Sequence, residues 1–390
     1  MNRWTILSVL FTARITVAIT FQSVAAILPF LVGDLGLSYA QAGTLIGLFM
    51  LPGVLLAIPA GWLGTRFGDK TVALCGLGAM AVGSVIVAQA TSFGDAAIGR
   101  AICGSGAITL NVLLAKMTTD WFAKREIATA MGFLVSSWPV GLALAMAVFG
   151  WWVTIVGWPS ILYAAAGVSA LGLVLLAAAY RRPPQTGRSG SGLQFRIGRR
   201  GLELAALAGL VWGTFNIGAI IFLSFVPTFL IERGWSAASA GGMASLMVWL
   251  CVPLIVLGGH IADRTGRDDL LISGTALLAA FLMALMPYVP APILVLILVG
   301  VVWGTPAGPI MAMPQTLPPD ERAAGFGIFF TVFYACMATV PAAAGLMADL
   351  AGDPRASLVF AAAVTASTAP ILWLFRVRAA GLRPQTVASS

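Results

Sequence analysis

Apolar residues do not alternate along this chain. They gather into twelve long runs, at 5–33, 39–63, 71–91, 96–118, 127–152, 158–180, 201–231, 237–261, 271–289, 292–316, 323–349 and 355–376. A helix needs roughly 20 apolar residues to cross the hydrocarbon of a bilayer. Inside lipid every backbone amide must find its partner within the protein, and runs without a period of two are not barrel strands. The pattern therefore predicts an all-α membrane protein with twelve transmembrane helices.

One long polar stretch interrupts the series. Residues 181–200 (RRPPQTGRSGSGLQFRIGRR) lie between the sixth and seventh runs, and their Arg, Gly, Ser and Pro content reads as a flexible linker. Offsetting the chain by 198 positions sets GLSYAQAGTLIGLFML (36–51) on GWSAASAGGMASLMVW (234–249). It also sets AGWLGTRFGDK (60–70) on GGHIADRTGRD (258–268), and Pro29 on Pro227, without a gap. The expected organisation is two duplicated six-helix bundles, 1–180 and 201–390, joined by the linker. An even number of spans per half gives both copies the same membrane orientation, related by a pseudo-two-fold axis, with a ligand site between them.

Composition agrees: 59% of the 390 residues are hydrophobic and 9% charged, far from the usage of water-soluble domains. The net charge of +8 would suit a nucleic-acid partner if it formed a patch, but it lies in short gaps between apolar runs, so none is expected and membrane lipids are the expected surroundings. The run after Arg3 is too long for a signal peptide and is followed by many like it. With both termini inside, seventeen of the twenty-two Lys and Arg residues are cytoplasmic, which predicts a multi-pass protein of a bacterial-type inner (plasma) membrane with both termini in the cytoplasm. Cys75, Cys103, Cys251 and Cys336 sit inside apolar runs without CxxC spacing, so neither disulfides nor a metal site is indicated. No phosphate-binding GxxxxGK[ST] motif is present, and no cofactor is expected.

At GGHIADRTGRD (258–268) the chain resembles the loop signature of the major facilitator superfamily, and span count, duplication and linker extend the resemblance over its whole length. The first-half copy, GWLGTRFGDK (61–70), keeps Gly61, Arg66, Gly68 and Lys70 but has Thr65 where the family usually places an aspartate. The resemblance implies gating roles for Gly61, Arg66, Gly259, Asp263 and Arg264, with Asp263 and Arg264 stabilising one of two alternating states. IGRAICGSGAI (98–108) is similar to the family's fourth-helix pattern, with Arg100 before glycines 104 and 106 that permit close helix approach. The WPVG stretch within 132–145 resembles the cyanate, nitrate and organic-anion permease-like branch. A monomer working by alternating access is the implied machine.

Charge inside a membrane marks function by default. Arg14 lies about nine residues, roughly 13 Å, into the first run, and its planar, permanently charged fork suits carboxylate-like or inorganic oxyanions. Arg100 is the second candidate cation, and Lys116 lies within a turn of the cytoplasm. Gln22, Asn111, Asn216 and Tyr334 are candidate lining residues beside Ser23, Ser136, Ser137 and Thr214. Under the repeat Arg14 corresponds to Trp212, which predicts an asymmetric site. Prolines and glycines in WGTPAGPIMAMP (303–314) predict a bend in the tenth span. The lone histidine, His260, reads as a packing or capping residue at a helix end. No Asp or Glu falls deep in a run, so a buried proton relay is not expected and anion exchange or uniport fits better. The expected substrate is a small anion. The alternative is a proton-driven exporter of drugs or neutral solutes. An enzyme is not expected, since one histidine and no embedded acids supply no catalytic cluster, and a channel leaves the duplicated halves unexplained.

Overall fold

The computed structural model describes residues 2–122, 126–181, 197–318 and 321–380. Twelve helical spans cross in sequence: Arg3–Ala26, Tyr39–Ala57, Asp69–Ala88, Phe93–Phe122, Ala130–Val156, Trp158–Ala179, Arg199–Glu232, Ala237–Ala262, Asp268–Tyr288, Pro292–Thr316, Ala324–Ala351 and Arg355–Ala380. They form two six-helix bundles related by a pseudo-two-fold axis. The first and last spans put both chain ends on one side, here the terminal face; the opposite side is the far face. Lys124, Arg125 and residues 182–196 of the linker lie outside the described residues.

The duplication appears in the backbone itself. Gly36 and Gly234 both take positive φ, +60° and +87°, just before Ser38 and Ser236 cap the second and eighth spans. Gly68 and Gly266 do the same, at +93° and +62°, in the two copies of the loop signature. Each pair is separated by the 198-residue offset, and side chains rarely adopt this region, so the glycines are what the shared turns require.

Four spans are not continuous. Helix Arg3–Ala26 stops at Ile27 and a new helix runs Leu28–Leu35, with Pro29 near its start. The second span breaks between Leu48 and Pro52. The tenth bends after Trp303 and resumes at Ala307, within the expected proline-rich stretch, and the twelfth is interrupted at Ser367. Proline withholds an amide and crowds the preceding turn, which accounts for the breaks at Pro29 and Pro52. Pro227, the repeat partner of Pro29, lies instead inside the unbroken helix Arg199–Glu232.

Glycines set the helix spacing within the first bundle. Gly106 faces the Gly76 carbonyl across the third and fourth spans, and Gly104 lies on the backbone of Phe49. A methyl group at either would meet main chain, so the helices approach to backbone contact.

The bundles meet at the far face. Among the described residues, their mutual hydrogen bonds join Tyr39 and Ala40 to Asp349, Tyr39 to Glu232, and Ser245 to the Ala143 carbonyl. Close approaches continue inward: Gly345 on Tyr39, Gly43 on Pro341, Gly47 on Ala338, Gly150 on Ala237 and Gly241, and finally Gly53 on the Tyr334 ring. On the terminal side of Tyr334, Gly61 and Gly259 have open space where a side chain would stand. Among the described residues, the hydrogen bonds and glycine contacts that join the bundles thus run from the far face inward to Tyr334.

Candidate functional site

Arg14 lies eleven residues from the start of its helix, about 17 Å along the axis at 1.5 Å per residue. Its Nε donates to Asn111 Oδ1 at 2.9 Å and its Nη1 to the Leu134 carbonyl at 2.7 Å. Three spans thus hold one guanidinium: the first supplies it, the fourth the amide, the fifth the carbonyl. Ser137 Oγ shares the Leu134 carbonyl at 2.6 Å, and Pro139 sits one turn on in the same helix. The outer edge of the guanidinium, Nη2 with the remaining Nη1 hydrogen, has no partner among the described residues, and the side chain is half-buried. A clamped arginine with a free edge is preorganised for an oxyanion.

Tyr334 of the eleventh span faces Arg14 from the other bundle, close enough for electrostatic interaction. It is half-buried, and its hydroxyl has no hydrogen-bond partner among the described residues. Phe333 and Phe330 stand beside it, ring centres 5.3 and 6.5 Å away, and Trp212 lies 6.1 Å from Phe333. The first bundle offers a cation and the second an aromatic wall, the asymmetry expected from Arg14 facing Trp212 under the repeat.

The structure thus brings Arg14, Asn111 and Tyr334 together. It places Arg100 elsewhere. That guanidinium is buried and donates to three main-chain carbonyls, Leu45 at 3.0 Å, Thr20 at 2.9 Å and Phe21 at 3.2 Å, with its carbon 4.6 Å from the Phe49 ring centre. Burial on these carbonyls makes it a brace between the first, second and fourth spans. Gln22 is buried toward the far face, its Nε2 on Met146 Sδ at 3.0 Å and its Oε1 unpartnered. Asn216 donates to the Trp212 carbonyl of its own helix at 2.9 Å. Lys116 pairs with Asp69 at 2.7 Å near the terminal face.

Of the expected gating residues, Arg66 is exposed and lies over the Trp62 and Phe67 rings at 5.3 and 5.6 Å. Arg264 is exposed as well, while the side chain of Asp263 lies outside the described residues. Gly61 and Gly259 stand open at this end, as above. The sequence reading missed the far closure. Asp349, Glu232 and Tyr39 carry it, and the only signal was the placement of two acids at the far ends of spans.

The major facilitator superfamily model matches residues 10–338. The inner membrane transport protein YajR of Escherichia coli (strain K12) is 36% identical over 111 residues, covering 28% of this chain and 24% of that protein, so this match spans about a quarter of its length. The probable galactarate/D-glucarate transporter GudP of Bacillus subtilis (strain 168) is 24% identical over 93% of this chain and 89% of its own. Among solved structures, a bacterial homologue of the human lysosomal transporter Spinster, in an inward-facing and occupied conformation, superposes with a TM-score of 0.77 at 16% identity, covering 97% of this chain and 96% of that one. Twelve spans in two duplicated bundles and a family match over most of the length lead to one conclusion: this chain belongs to the major facilitator superfamily, and it is a transporter.

Proposed function

We propose that the protein moves a small anion across the membrane by alternating access, the anion bound between the bundles on the free edge of Arg14. The observation that carries this reading is the Arg14 guanidinium held by Asn111 and the Leu134 carbonyl at the middle of the molecule, with Tyr334 opposite. An arginine fixed on neutral partners keeps its whole charge for a ligand, whereas one paired with a carboxylate would not. The full-length resemblance to a protein named for galactarate and glucarate transport supports an anionic cargo.

Charge placement supports both termini lying in the cytoplasm of a bacterial-type inner membrane. On that orientation the state described here faces inward. The bundles, divided near residues 180 and 201, rock as a monomer about the bound anion. Because no carboxylate lies near Arg14 among the described residues, the cycle runs as anion exchange or uniport. The test is exchange of labelled anions in proteoliposomes. Wild type exchanges at least one small carboxylate and Arg14→Gln exchanges none; equal exchange by both overturns the assignment.

A further inference from the structure

The substrate class can be narrowed, on the basis of the Arg14 site just proposed. We infer that the cargo is a monocarboxylate with a flat, apolar body, an arylcarboxylate or unsaturated acid, rather than a polyhydroxylated acid or a dianion. Three observations carry it.

The first is the count of charge. Of the cations in the spans, Lys116 is paired with Asp69, and Arg100 is sealed inside the first bundle at 1% exposure against three carbonyls. Of the three, Arg14 alone is both unpaired with an acid and partly exposed, with donors open to a ligand. One negative charge neutralises it, and a second would be carried into the closed state without a partner, which is costly away from water. A monoanion leaves the occluded site neutral.

The second is the wall. Trp212, Phe330, Phe333 and Tyr334 form a connected aromatic surface on the second bundle. On the first bundle Phe11, one turn from Arg14, lies tilted against Phe133 with ring centres 4.6 Å apart. All six aromatic residues keep part of their surface exposed, whereas Phe21 and Phe49 are buried. Open ring faces offer offset or edge-on contact to a planar apolar body.

The third is that few neutral donors are free: among the described residues the Tyr334 hydroxyl and Asn111 Nδ2 have no hydrogen-bond partner, while the other neutral polar groups here turn to their own helices. Ser136 Oγ donates to Phe133, Thr214 Oγ1 to Leu210 and Asn216 Nδ2 to Trp212, in each case to a carbonyl of the same helix. A chain of hydroxyls entering this space would lose water and find few replacements, a mismatch that sites discriminate strongly.

The experiment is a proteoliposome exchange panel of benzoate, cinnamate, phthalate, glucuronate and galactarate, on wild type, Arg14→Gln and Phe333→Leu. Benzoate or cinnamate is expected to half-saturate at concentrations about ten-fold or more below glucuronate, with phthalate and galactarate weaker than their monoanionic counterparts. Phe333→Leu should weaken cinnamate more than glucuronate and so narrow the gap between them. If glucuronate or galactarate is exchanged as well as benzoate and Arg14→Gln abolishes both, the narrowing is wrong and the anion site stands. If none is exchanged, or Arg14→Gln behaves as wild type, both fall.

Discussion

The carboxylate of Asp349 lies on the first turn of the helix that begins at Tyr39, one oxygen 2.7 Å from the Tyr39 amide and the other 2.8 Å from that of Ala40. Asp349 belongs to the second bundle and Tyr39 to the first. Ser38 Oγ takes the third amide, that of Gln41, at 3.1 Å. A helix start has four amides without internal partners, and here two of them are answered across the interface. Tyr39 adds its own hydroxyl, 2.8 Å from Glu232.

Loss of the Asp349 charge should therefore open the far face. Hydrogen bonds to a charged group are worth about 1.5–3 kcal/mol, so Asp349→Asn should move the balance between closed and open far faces by roughly ten-fold or more, with the fold intact. Electron-spin distances between labels on Ser92 and Ala291 should lengthen in the variant. An unchanged distribution would show that the glycine contacts alone hold the closure.

Those contacts make their own prediction. A methyl group on Gly345 would meet the Tyr39 carbonyl, and neither side has a flexible end that can retreat. Gly345→Ala should prevent full far-face closure, slow exchange and lengthen the same label distance. Salt should not alter its effect, since packing is not screened.

Arg14 and Arg100 should part company under one substitution. Arg100→Gln removes up to three buried hydrogen bonds from a charged group, worth about 1.5–3 kcal/mol each, and should lower the melting temperature sharply. Arg14→Gln should melt near wild type and lose anion exchange. The reverse outcome would exchange their roles.

Gln22 Oε1, Ser224 Oγ and Thr228 Oγ1, in the far halves of the first and seventh spans, are buried with no hydrogen-bond partner among the described residues. Water would reach them when the far face opens, so their burial biases the molecule against the state described here. Gln22→Met removes one such group and should favour the closed far face by about 1 kcal/mol. Melting temperature should rise and the open population fall; a lower melting temperature would mean the amide has a partner in the closed state.

What the sequence revealed depended on contrast. Twelve apolar runs stand out against short charged gaps, and a 198-residue repeat survives in paired glycines of positive φ, a region that among the described residues only Glu126 enters without being glycine. Arg14 was legible because an arginine in an apolar run has few places to go. The fate of Arg100 was not, because its partners are main-chain carbonyls, which every residue carries and no letter records. Asp349 was hidden for the opposite reason: an acid at the end of a span looks the same whether it meets water or another helix. The break at Ile27 and the unbroken helix through Pro227 have the same proline in the repeat, so the proline alone does not decide the break.

Inward of the Asp349 and Glu232 contacts, the far closure is main chain on main chain. Where Gly43, Gly47, Gly150 and Gly345 touch the opposite bundle, they meet carbonyls and α-carbons rather than interlocking side chains. Interdigitated side chains lose rotamer freedom whenever two surfaces join. A seam of glycine on backbone has almost none to lose, so it can part and re-form on every turnover without repacking, and two rigid halves can cycle with little friction between them.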